Sequence, residues 1–180
     1  MLMQMLAAGG IEILTDGLRE ADEDNPRGYL EYQPVKNLLE DSKWLIEGRG
    51  KAVKIVTPLL AALPEGLACR VILSERDLEE VLDSQDRMLV RRNQPLATTP
   101  ERRRMLKQEY SRTLGRAKAM LVGRPETELL VVQHSDVIWD PLASAEKVNQ
   151  FLGGGLDARK MAAAIDPALH RVRNLSGAER

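Results

Sequence analysis

Apolar and polar positions along the chain fall into blocks whose period changes, and each block predicts one element. MLMQMLAA (Met1 to Ala8) is rich in strong helix formers and holds no β-branched residue, and Gly9-Gly10 follows as a stop. The pattern therefore predicts a helix opening at the first residue, with no capping side chain ahead of it. IEIL (Ile11 to Leu14) reads as a short extended segment, and the polar loop after it turns at Asn25-Pro26-Arg27-Gly28. A helix is expected from about Pro34, with Val35, Leu38, Leu39 and Leu45 on one side. AVKIVTPLL (Ala52 to Leu60) predicts a strand closed by Pro58. RVILS (Arg70 to Ser74) predicts another, an unbroken apolar run of the kind that a parallel sheet covers on both faces.

The second half is more regular. Asp77 and Glu80 have the spacing of a capping box, and Leu78, Val81, Leu82, Met88 and Leu89 form a helical stripe with Ser84 at its edge. Thr99-Pro100 opens a long helix whose stripe is Leu106, Tyr110, Leu114, Ala117 and Leu121. ELLVVQH (Glu128 to His134) is a third strand. Asp140-Pro141 starts a helix that ends at Gly153-Gly154-Gly155, and a further short helix and a polar end follow Asp157. Strands separated by helices predict an α/β fold: one domain over residues 1–180, a parallel sheet in three layers with helices on both faces.

Composition narrows the function classes. A formal net charge of −1 and 3% aromatic residues in 180 argue against a nucleic-acid surface built on basic patches or base stacking. Cys69 is the sole cysteine, which rules out an internal disulfide and fits a small hydrophobe in a reducing compartment. No apolar run is long enough to span a bilayer, and the opening residues lack the basic leader of a signal peptide, so a cytoplasmic location is expected.

The chemistry gathers where the Arg70–Ser74 strand meets the next helix. Arg76 sits at the carboxyl end of the strand, where open α/β sheets hold ligands, and Ser84 follows eight residues later, two turns into the helix. A guanidinium fork, a hydroxyl and a helix N-terminus suit a phosphate. The plain alternative is a surface ion pair of Arg76 with neighbouring carboxylates and a serine bonded to its own helix.

This unit resembles the segment of PAPS-dependent sulfotransferases that binds the 3′-phosphate of 3′-phosphoadenosine-5′-phosphosulfate, in which an arginine after a strand is followed eight residues on by a serine. Three more stretches are similar in order: MLMQMLAAGGIEILTDG to the family's first helix and loop, AVKIVTPLLAALP to its next strand, and ELLVVQHSDVIWDPLASAEKVNQFLGG to its late strand, acidic-proline loop and helix. The resemblance implies a P-loop-like fold, PAPS as cofactor, and a small-molecule or peptide hydroxyl acceptor. It also implies that the family's 5′-phosphosulfate loop and first strand would fall immediately before Met1. A sheet without that strand exposes unpaired edges and invites self-association, and a chain without that loop is expected to be inactive.

For the general base, the histidine of the family's cytosolic members is matched here by Val56. The glutamate of its protein-tyrosine members is matched by Asp16, the candidate catalytic residue, which is equally placed to be a turn residue in Thr15-Asp16-Gly17. The acidic run Glu20, Asp22, Glu23, Asp24 and the basic run Arg102-Arg103-Arg104 read as solvated, His134 as structural, His170 lies in the tail far from any motif, and no metal is implied. A non-catalytic α/β protein binding adenosine phosphates or a protein partner, and a P-loop kinase relative, stay open beside the sulfotransferase reading.

Overall fold

The computed structural model describes residues 1–22, 25–91, 93 and 99–166. Glu23 and Asp24 of the acidic run, His170 and the polar end lie outside them. In chain order the elements are α1 (Leu2–Ala8), three short 3-10 helices (Gln33–Asn37, Lys43–Ile46, Thr57–Ala62), β1 (Cys69–Glu75), α2 (Leu78–Arg91), α3 (Pro100–Val122), β2 (Thr127–Gln133), α4 (His134–Trp139), α5 (Pro141–Phe151) and α6 (Ala158–Ala163).

Caps place the helices where the sequence signals put them. The Thr99 side chain accepts from the N–H of Arg102, Asp140 from Ala143 and Asp157 from Lys160, each satisfying a donor that a helix start leaves unpaired. α1 has no side-chain cap at Met1 and stops at Gly9, with Gly10 at φ +104°, a region glycine enters freely.

β1 and β2 pair in parallel, Cys69 opposite Thr127 through Glu75 opposite Gln133. Their apolar side chains alternate between two cores. Val71, Leu73, Leu129 and Val131 meet Leu60, Leu63, Trp44 and the Leu114–Ala117–Leu121 stripe of α3. Ile72, Leu130 and Val132 meet Met5, Leu6, Val137, Ala145, Val148 and Met161 of α1, α4, α5 and α6. The chain is thus mixed α/β, with a parallel sheet buried on both faces. No helix among the described residues is long and apolar enough to cross a membrane.

Two expectations are corrected. Ala52–Leu60 is not a strand: Ala52 makes an isolated parallel bridge to Ile13, and from Thr57 the chain winds into a 3-10 helix. A strand needs a partner along its length, and this segment finds one for a single residue before Pro58 ends the extended run. Among the described residues the sheet therefore has two strands. The helix expected from Pro34 is a 3-10 helix, Gln33–Asn37. It ends before the expected stripe is complete: Val35 within it and Leu38 at its end are buried as the pattern requires, while Leu39 lies in the turn beyond and is 78% exposed.

Candidate functional site

The junction of β1 and α2 is built by a chain of charges. Asp77 caps α2, its Oδ1 accepting from the N–H groups of Glu79 (2.9 Å) and Glu80 (3.1 Å). The Glu80 carboxylate, expected to reach back to the cap, instead accepts from Arg76 Nε at 2.9 Å. Arg76, just ahead of the cap, thus reaches the first turn of α2, and both side chains are mostly covered, at 24% and 14% exposure. Glu75, the last residue of β1, accepts from Gln133 Nε2 at 2.9 Å and pairs with Lys118 of α3. The bond from Lys118, then that from Gln133, outweighs burial and holds the Glu75 carboxyl below the usual carboxylate range.

A second charged group locks α2 to α3. Arg103 donates to Glu79 (2.9 Å) and Asp86 (3.0 Å) and pairs with Asp83, while Lys107 meets Glu79 at 2.6 Å. Of the basic run, Arg102 and Arg104 are exposed as expected, but Arg103 is a tie between helices.

Two cavities flank this junction. A small one of about 290 Å³ lies at the carboxyl ends of both strands, against Arg76, Asp77, Glu80, Gln133 and Ser135. A large one of about 1920 Å³ is lined by all of β1, and Arg76 lines this one too. Ser84, half-buried two turns into α2, lines neither cavity. Nor does Asp16, whose carboxylate is fully engaged in its own loop: it accepts from the N–H groups of Leu18 (3.0 Å) and Gln33. The bond from Gln33, then that from Leu18, keeps Asp16 below its ordinary value. The structure thus brings Arg76 to both cavities and leaves Ser84 and Asp16 outside their linings.

Three further cations have partners. Arg19 pairs with Glu31 at 3.0 Å and stacks over the Tyr29 ring, and Arg27 donates to the Ala164 carbonyl and pairs with Asp166. Lys54 lines the large cavity and donates to Tyr29 O (3.3 Å) and Glu31 Oε1 (3.2 Å). His134 opens α4 and also lines the large cavity. Among the described residues no cluster of three or more His, Cys, Asp or Glu could hold a metal ion. Lys118 and Gln133 escaped sequence reasoning. The usable signal for Lys118 was its place beside Ala117 on the edge of the buried stripe, where a long side chain reaches the strand end.

Comparisons with protein-family models, with curated proteins and with solved structures return no match to this chain.

Proposed function

We propose that the chain is a PAPS-dependent sulfotransferase family protein of three-layer, P-loop-like fold. In this reading Arg76 and Ser84 serve the 3′-phosphate, and the transferred sulfo group goes to a hydroxyl acceptor. The observation that carries the reading is the placement of Arg76. It stands at the carboxyl end of a parallel strand, one residue before the cap of α2, where it lines two cavities. Nε is held by Glu80, which leaves the Nη groups to meet a phosphate.

In the transfer the acceptor oxygen bonds to sulfur as the bond from sulfur to the 5′-phosphate oxygen breaks. The adenosine bisphosphate leaves with that electron pair, and the acceptor proton passes to a base, for which Asp16 is the candidate. Charge on the leaving phosphate needs preorganised donors, and loss of even one such donor costs ~100- to 1000-fold in rate. The reading assigns no residue of this chain to the 5′-phosphosulfate. One observation favours a second reading, a non-catalytic protein that binds adenosine phosphates: both Asp16 oxygens are already bonded to backbone N–H groups.

Calorimetric titration with 3′,5′-adenosine bisphosphate tests the shared core of both readings. Binding that weakens at least about tenfold in Arg76→Ala is expected, the scale of one charge-assisted pair to phosphate. Equal heats for the two proteins overturn the assignment, and tighter binding of ATP with magnesium points to a kinase relative instead.

A further inference from the structure

A phosphate at Arg76 shares the small cavity with three carboxylates, those of Glu75, Asp77 and Glu80. An anion is accepted in such a place only where the negative charges already there are answered. Asp77 spends Oδ1 on two N–H groups that open α2, and Glu80 is paired with Arg76 itself. Glu75 is answered from two other elements. Gln133 of β2 donates to Oε2 at 2.9 Å, and Lys118 of α3 pairs with Oε1.

Gln133 can hold the carboxylate in place, but it brings no charge to cancel it. Lys118 does. It stands one turn beyond Leu114, which lines both cavities, yet Lys118 lines neither. Its ammonium therefore acts on the cavities through Glu75, without touching what occupies them. Glu75 lines both cavities, as Arg76 does, so its charge bears on either approach to the guanidinium. The Glu75 side chain is 15% exposed against 36% for Lys118, so little water is at hand to screen the carboxylate once its cation is gone. Both bonds favour the ionised form of Glu75, and a charge stands there to be cancelled.

We propose that Lys118 is a positioning residue of the phosphate site: by pairing with Glu75 it cancels the negative charge beside Arg76 and leaves the field of the guanidinium to the phosphate. The inference rests on the reading that Arg76 binds the 3′-phosphate, and it adds a residue from α3 to it. The bland alternative is that Lys118 only ties α3 to the end of β1. The two separate at Glu75. Removing either partner breaks a tie equally, whereas removing the Glu75 charge undoes the harm of losing its cation.

The test is a double-mutant cycle on the full chain, titrated calorimetrically with 3′,5′-adenosine bisphosphate at neutral pH and low salt. Lys118→Met is expected to weaken binding at least about fivefold, the scale of one uncancelled charge in a partly covered site. Lys118→Arg, which keeps the charge, should bind close to the parent. Glu75→Gln should bind at least as tightly as the parent although urea unfolding shows it less stable, and in that background Lys118→Met should lose most of its effect. Equal weakening in the two single variants overturns the inference, since the tie and not the charge then matters. So does a Lys118→Met effect that persists undiminished beside Glu75→Gln. Where Lys118→Met fails to fold, Glu75→Gln decides alone, and weaker binding than the parent overturns. Binding that needs Arg76 but is indifferent to Lys118 sinks this inference alone; binding indifferent to Arg76 sinks the phosphate reading and this inference with it.

Discussion

Glu80 competes for Arg76 with any phosphate. Its carboxylate holds Nε at 2.9 Å inside a mostly covered pair, and a phosphate arriving at the same guanidinium meets that negative charge. Glu80→Gln keeps the side-chain shape and removes the charge. If Arg76 binds the 3′-phosphate, the variant should bind 3′,5′-adenosine bisphosphate roughly two- to fivefold more tightly, the value of one partly exposed charge pair; weaker binding would mean that Glu80 positions Arg76 rather than competing for it. A second residue-scale prediction concerns Gly9, whose φ of −73° is ordinary for any residue. A Cβ there would lie 2.6 Å from Met161 Cγ, and Met161 is fully buried. Gly9→Ala should therefore cost about 1–3 kcal/mol by overpacking in urea unfolding. Met161→Ala should cost about 2–5 kcal/mol in the parent chain and measurably less in the Gly9→Ala background, because the two share one space. Additive costs would show that Gly9 and Met161 do not compete.

At the scale of elements, Glu75 is the joint between β1, β2 and α3, through Gln133 and Lys118. Its folded carboxyl lies below the ordinary value of 4.5, so its contribution to stability is fully present above that value and fades as pH falls through the lower, folded one. Glu75→Gln should consequently destabilise the protein at pH 7 and lose most of that penalty in acid; a penalty that is the same at both ends would assign it to packing. The elements that carry their own period were legible in the sequence. The stripes of α2 and α3, with Asp77 and Thr99 as caps, needed only local chemistry, and so did the apolar runs of β1 and β2. Ala52–Leu60 was not legible, because a strand is defined by its neighbour and the run AVKIV does not say whether one is there. Arg76 could be placed at the strand end by counting, but its pairing with Glu80 in preference to the cap could not. Nor could the closure of Asp16 by the distant Gln33 N–H, which depends on how the loop folds back.

At the scale of the molecule, the described residues form a two-stranded sheet with apolar side chains packed on both faces, and it leaves backbone edges to be answered. Parallel strands owe their place in a core to neighbours on both sides as well as helices above and below. Among the described residues, helices pack against both faces, yet β1 pairs with β2 alone and lines a cavity of about 1920 Å³. Exposed apolar side chains add to this, Ile46 at 80% and Trp139 at 86%. The chain should be of low stability and self-associate, through backbone edges and apolar surface rather than charge. Sedimentation velocity from about 10 to about 200 μM, a range in which open edges associate, should show the mean mass rising with concentration. Because surface charge is screened by salt and these contacts are not, the rise should persist at high ionic strength. Trp139, exposed while Trp44 is buried at 6%, supplies an independent readout, since contacts that cover it shift its emission to shorter wavelength as mass grows. A monodisperse monomer with a sharp, high-temperature melt would mean that the open edge of β1 is stable in water by itself.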